Sequence, residues 1–376
     1  MPLSLSALKS LNDILARLSA KPIVAPMDRK PNTPLRRGWT TGACATAATR
    51  AALMMLWGEA RPDKVRITLP RGERPVFAVT EAEQGIGWAE AAVIKDAGDD
   101  PDVTHGALIR ARVEASAGGV EFAAGEGVGT VTKPGLPIAV GEPAINPVPR
   151  QMMRGTVEEM AARLGRRPDI RITVSVPGGA ALAEKTWNPR LGIKGGLSIL
   201  GTTGIVRPFS CSAWIASIHR GVDVARAEGQ HHVAGCTGAT SEQVVQRLYD
   251  LPAGAMLDMG DFVGGMLKYI AKHPVKRVTV GGGIGKITKL AQGARDLHSG
   301  RSQVDFDLLA RWLDDDRMRH CNTALQAYEI AGIKMSEIVA TKALEQVQTM
   351  LPASSMADIV VIDRAGNILA RAEGAA

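Results

Sequence analysis

The stretch that decides the fold is GEGVGTVTKPGLPIAVGEPAINPVPRQMMR, residues 125–154. It holds five Gly and five Pro (Pro134, Pro137, Pro143, Pro147, Pro149). Each Pro lacks a backbone donor and clashes with the preceding turn, so no helix is expected to run through it. A flexible linker is not expected either, because linkers are Gly/Ser- or charge-rich, whereas Val128, Val131, Leu136, Ile138, Val140, Ile145 and Val148 call for burial. What remains is an ordered, irregular path of short strands and turns. Such backbone persists where a ligand approaches the main chain; a purely structural Pro-rich crossover is the competing reading. Lys133, Glu142, Asn146 and Arg150 are the polar side chains it presents.

The stretch 131–150, VTKPGLPIAVGEPAINPVPR, is similar to the signature of the CbiD family, the cobalt-precorrin-5B C1-methyltransferases of anaerobic cobalamin synthesis. Two further stretches carry the same resemblance: LRRGWTTGACATAATRAAL at 35–53 and NPRLGIKGGLSILGTTGIVRPFS at 188–210. The resemblance runs from about residue 35 to about residue 360.

Working outward, 376 residues are enough for two domains. The boundaries expected are an N-terminal extension with a Pro-rich tether over 1–34, then domains over 35–205 and 206–376. No apolar run reaches membrane-spanning length. Lys9, Asp13 and Arg17 interrupt any secretory core, so a cytoplasmic protein is expected. Of the net charge of +7, residues 1–37 carry +5, from seven Lys/Arg against Asp13 and Asp28. The body is nearly neutral and aromatics are 4%, so neither the basic groove nor the stacking platforms of a nucleic-acid binder are present. Cys44, Cys211, Cys236 and Cys321 are far apart and show no metal-ligand spacing; buried free thiols are expected, and no protein metal site.

In chain order, Leu8, Leu11, Leu15 and Leu18 suggest a short amphipathic helix. The run 38–48 opens a helix to about Trp57, capped by Thr40 or Thr41, and its Gly/Thr-rich start reads as an anion site or simply as a well-capped helix end. Strands at 65–69, 76–81, 88–94 and 108–115 alternate as an antiparallel sheet does. Asp96, Asp99, Asp100 and Asp102 before His105 read as a solvated acidic loop rather than a cation site. A helix at 156–164, a strand at 170–176 and a second Gly-rich lobe at 188–210 follow. Beyond Ser212, strands at 231–234, 255–259 and 277–280 each run into a Gly-rich turn and a helix, which implies a parallel sheet. Helices near 306–314, 322–329 and 336–350 and a last strand at 358–362 complete it. The fold class is therefore α+β then α/β: an N-terminal mixed, largely antiparallel α+β domain and a C-terminal α/β domain with a Rossmann-like parallel sheet, not a standard methyltransferase fold.

The C-terminal turns make a small-molecule site plausible, but none is a dinucleotide or P-loop fingerprint. LDMGDFVGG at 257–265 loosely resembles the acid-then-glycine turn of common S-adenosylmethionine enzymes, with the wrong spacing. The family resemblance implies methyl transfer from S-adenosylmethionine to C-1 of cobalt-precorrin-5B, giving cobalt-precorrin-6A, with cobalt arriving inside the substrate. The substrate's acetate and propionate groups would be clamped by Lys133, Arg150, Lys194 and Arg207, with Thr40 and Thr41. The cofactor would lie on Gly235, Thr237, Gly238, Asp261, Gly281, Gly283 and Gly285, with Asp258 or Asp261 at the ribose hydroxyls. Glu142, inside the signature, is the candidate base. The partners implied are the cobalt-precorrin and a transient hand-off with other cobalamin-pathway enzymes. A small-molecule kinase-like phosphate-handling enzyme and a non-catalytic tetrapyrrole carrier remain as rivals.

Overall fold

The structure, a computed structural model, describes residues 34–374. The expected leader helix and most of the tether lie outside the described residues.

The N-terminal core forms around the helix Thr41–Leu56. Its Ala-rich sequence favours helix, and Thr40 caps it by accepting from the Ala43 amide at 3.2 Å. Ala43, Ala47, Ala48, Ala51 and Ala52 are fully buried, so their small side chains let neighbours close in on several sides. Those neighbours are the strands Trp88–Ile94 and Leu108–Ala115 and the helix Pro147–Leu164. The sheet has five strands, in the order Glu81–Gly85, Trp88–Ile94, Leu108–Ala115, Ile170–Ser175 and Val120–Ala124. All pairs are antiparallel except the last, which is parallel. Two of these strands escaped the sequence reading: Glu81–Gly85 is a polar edge with no buried face, and Val120–Ala124 is only half-buried.

The Pro-rich stretch and the second Gly-rich lobe are one unit. Thr130–Val131 pairs antiparallel with Ile193–Lys194, and Val128 and Ile145 bridge to Leu197 and Ile199. The expectation of short strands and turns throughout 125–154 is corrected. The helix Pro147–Leu164 begins inside it, with Pro147 and Pro149 in the first turn, where a missing N–H costs nothing.

The acidic loop is solvent-exposed in part, as expected, and is also held by cations and amides. Arg36 grips Asp96, the buried Lys95 grips Asp102, and Asp99 accepts the Arg36 amide at 2.6 Å. Asp100 accepts the Phe209 amide at 2.8 Å, fixing Phe209 at a φ of 55° where the chain crosses to the C-terminal half.

The C-terminal sheet has the order Met256–Leu257, His232–Cys236, Arg277–Gly283, Met356–Ile362 and Ile368–Glu373. The first four are parallel and the fifth is an antiparallel edge that follows the strand expected to be last. The 255–259 strand is shorter than expected, and the helix expected at 212–220 extends over Cys211–Ala227. The main core lies between the sheet and the helices Cys211–Ala227, Val263–Lys272, Ile284–Ala291 and Ile333–Gln348, while Ala239–Tyr249 covers the opposite face over a smaller cluster. The halves meet where Val131, Ile138, Ala144, Leu191 and Ile193 pack on Val224. Gly135, at a φ of 103°, lies so close that a Cβ would stand 2.6 Å from the Asp223 carbonyl oxygen. Among the described residues no helix is long and apolar enough to cross a membrane.

Candidate functional site

The order of the parallel strands, by their sequence rank, is second, first, third, fourth. Crossovers therefore leave in opposite directions from the first strand, His232–Cys236, and the third, Arg277–Gly283. In open α/β sheets the crevice outside the carboxyl ends at such a switch point is where ligands bind. Three turns converge there: Thr237-Gly238, Asp258 to Asp261, and Gly283 to Lys286. Lys286 ties them, with Nζ donating to the Thr237 carbonyl at 3.1 Å and lying 2.9 Å from Asp261 Oδ1. The Asp261 contact is an ion pair without hydrogen-bond geometry, so that buried oxygen receives no hydrogen bond among the described residues.

The predicted glycines divide into two groups. Gly235 and Gly281 serve packing: a Cβ would meet Met266 Sδ at 2.4 Å in one case and Val245 Cγ2 at 2.6 Å in the other. Gly238, Gly283 and Gly285 face room, the nearest contacts to an added Cβ being none within 4 Å, 3.9 Å and 3.7 Å. Gly238 and Gly283 also precede the helices Ala239–Tyr249 and Ile284–Ala291 without a side-chain cap. First-turn N–H groups are left for a ligand.

Beside these turns lies a small cavity between the halves, of about 10 Å³, room for about one water, lined by Trp187, Arg190, Ser217, Ile218, Gly254 and Asp258 among others. The Arg190 guanidinium lies 4.9 Å over the Trp187 ring, and its Nη2 donates to Glu242 Oε1 at 2.5 Å. Trp214 Nε1 donates to the Asp258 carbonyl at 2.7 Å. Burial, and then the nearby Glu242, push the Asp258 carboxyl up to about 6, with Arg190 opposing.

The N-terminal candidates are placed as follows. Arg150 pairs with Glu142 at 3.1 Å, donates to the carbonyls of Ile145 and Pro143 at 2.8 and 3.0 Å, and lies over Phe122. Lys133 crosses to Glu228 of the C-terminal half at 2.8 Å. Lys194 and Arg207 are exposed, with no ion pair among the described residues. At the helix start, Gly42 N–H donates to the Leu200 carbonyl at 2.8 Å and Thr41 Oγ1 to the same oxygen at 3.2 Å. Of the two readings of this helix start, an anion site or a well-capped end, the contacts favour the capped end, which the second Gly-rich lobe covers. Three of the cysteines are buried, but Cys211 is partly exposed, with Arg301 Nη2 3.2 Å from its sulfur. Burial pushes the Cys44 and Cys236 thiols up to about 12, which makes them inert.

Sequence reading missed Lys286, Arg190, Glu242 and Trp187. Lys286 closes the string GGGIGK at 281–286 and Arg190 stands within the family stretch 188–210, but neither spacing says which carbonyl or carboxylate it reaches.

The CbiD family profile matches residues 28–208, and the profile for the CbiD C-terminal domain matches 296–373. A Brucella anthropi relative named cobalt-precorrin-5B C(1)-methyltransferase is 58% identical over 90% of this chain and 95% of its own. A Bradyrhizobium relative of the same name is 54% identical over 92% and 95%. A crystal structure of a cobalamin biosynthesis protein (CbiD) from Archaeoglobus fulgidus is 25% identical, covering 79% of this chain and 85% of that one with a TM-score of 0.38. Matched along nearly its whole length, the chain belongs to the CbiD family.

Proposed function

We infer that this chain methylates C-1 of cobalt-precorrin-5B with S-adenosylmethionine as the donor, giving cobalt-precorrin-6A. The observation that carries this reading is the set of three turns tied by Lys286 at the switch point, beside an interlobe cavity, in a chain whose relatives bear that enzyme name. The turns fit the donor. The buried Asp261 Oδ1 lacks a hydrogen-bond donor, as an acceptor for ribose hydroxyls should, and Gly238, Gly283 and Gly285 leave room for a ligand against backbone. The donor supplies a sulfonium-activated methyl. This chain's contribution is alignment of the ring carbon with it, which is where most of the rate advantage of such a transfer lies.

The substrate's carboxylates suit the basic groups around the cavity and signature. Arg190 is already oriented by Trp187 and Glu242; Lys133, Arg150, Lys194 and Arg207 are further candidates, with Thr40 and Thr41 at the covered helix start. Cobalt enters as part of the substrate.

The test is an anaerobic mass-spectrometric assay with cobalt-precorrin-5B and methyl-labelled S-adenosylmethionine. One labelled methyl on the macrocycle is expected. Corrinoid binding with no affinity for S-adenosylmethionine would favour a carrier, and ATP binding at the turns a phosphate-handling enzyme.

A further inference from the structure

Asp258 lines the interlobe cavity, and its carboxyl has no task in the fold. Among the described residues no Lys or Arg forms an ion pair with it, and its side-chain oxygens take part in no hydrogen bond. The turn is instead held through the backbone, by Trp214 Nε1 on the Asp258 carbonyl. The charged groups facing it are committed elsewhere. Glu242, from the first turn of Ala239–Tyr249, is taken by Arg190 from the N-terminal half. On the far side, beside Gly254, Lys133 is taken by Glu228. Ser217, also lining the cavity, donates to the Trp214 carbonyl at 2.7 Å. A half-buried carboxylate left without a partner beside a cavity, its oxygens still reaching solvent, tends to mark a working group.

Its position fits one role. Asp258 follows the strand Met256–Leu257 and stands three residues before Asp261, so the cavity wall and the donor turn are parts of one short loop. We propose that Asp258 is the general base of the reaction, taking a proton from the macrocycle as C-1 is methylated.

The proposal rests on the methyl-transfer reading, and the balance is simple. The ring's electron pair forms the new C–C bond as the bond from sulfur to methyl breaks, and the sulfur leaves as a neutral thioether. The macrocycle is left with one extra positive charge, and loss of one proton to the Asp258 carboxylate restores it. Desolvation raises the proton affinity of that carboxylate toward neutral pH, where a base is most effective. Glu142, the base expected from the sequence, is less suited: half-exposed, its carboxylate is neutralised by Arg150.

The experiment compares wild type with Asp258→Asn and Asp258→Glu. It measures single-turnover methyl transfer between pH 5 and 8, S-adenosylmethionine affinity by calorimetry, and urea unfolding between pH 4 and 7. The expected wild-type rate falls on the acid side with an apparent pKa near 6. Asp258→Asn should lose about 10²–10⁴-fold in rate together with that acid limb, keep its donor affinity within about threefold, and be partly rescued by Asp258→Glu. A carboxyl that resists ionisation when folded should also make wild type lose stability, relative to Asp258→Asn, as pH rises from about 4 to about 6. A flat wild-type rate from pH 5 to 8, or full-rate transfer by Asp258→Asn, overturns the proposal and leaves the methyl-transfer reading intact. No transfer by folded wild type overturns both. Should the Asn variant not fold, the wild-type pH profile and the Glu variant still decide.

Discussion

Gly127 and Gly196, in the N-terminal half, are pressed against backbone, whereas Gly238, Gly283 and Gly285, in the C-terminal turns, face open room. A Cβ on Gly127 would stand 2.0 Å from the Val176 carbonyl oxygen, and one on Gly196 would stand 2.2 Å from the Gly127 carbonyl oxygen. The same residue type in similar-looking strings therefore does two jobs. At Gly127 and Gly196 it lets two Gly-rich segments zip together; in the turns it leaves open room, the place proposed for the donor. A Gly-rich lobe is thus evidence of close approach, and only the neighbours tell whether the approaching group is the protein's own backbone.

The comparison would break most visibly at Gly127. Its φ is 70° and its neighbour is immovable backbone, so Gly127→Ala should cost at least about 2–4 kcal/mol. Urea unfolding followed by tryptophan fluorescence reads this, and a loss under 1 kcal/mol would remove the packing account. Lys286→Met should act on binding instead. Freed from their tie to Lys286, the Thr237 and Asp261 turns should let S-adenosylmethionine affinity drop about 10–100-fold. Calorimetry showing unchanged affinity would move the donor site away from these turns.

Acid should reach the C-terminal half through His232. Burial, with Arg277 adding repulsion, holds its imidazole down at about 4. Between about 6.5 and 4 the unfolded chain binds a proton that the folded chain does not, so this contribution to stability is present above pH 6.5 and lost as pH falls toward 4. Urea unfolding at pH 7 and pH 5 should show the loss in wild type and a shallower one in His232→Gln. Asp258 works in the opposite direction over pH 4 to 6, so the two variants separate the slopes.

The smallest effect is the sharpest contrast with Gly127. Gly285→Ala, in the first turn of Ile284–Ala291 with its nearest neighbour at 3.7 Å, should leave stability unchanged or raise it by up to about 1 kcal/mol. Donor affinity should fall all the same, by about tenfold. A variant that is both more stable and equally tight would assign Gly285 to helix packing alone.

Much of the architecture was legible. The β-turn-α rhythm after Ser212 predicts the parallel sheet because apolar strands, Gly turns and helical periods alternate there, and the Ala-rich helix announces itself by composition and cap. Glu81–Gly85 was hidden because it has no buried apolar face, and Val120–Ala124 because only Val120 and Phe122 mark its half-buried face. Pro147 concealed a helix start because Pro both breaks a helix interior and suits its first turn. Thr237, Gly238, Asp261, Gly283 and Gly285, which form the turns proposed for the donor, could be read from local strings, since a turn after a strand is a local feature. Arg190 and Glu242 were not, because their pairing joins residues from the two halves.

The sequence by itself determined the family, the order of elements and the position of each turn, since these depend on residue type and spacing over short distances. Tertiary structure alone decided which strand lies beside which, and so where the switch point falls. It also decided which glycines meet backbone and which meet space, and it left Asp258 without a partner beside Arg190 and Glu242. Those outcomes depend on groups that meet only after the chain has closed, where burial and neighbouring charge set the chemistry of a side chain.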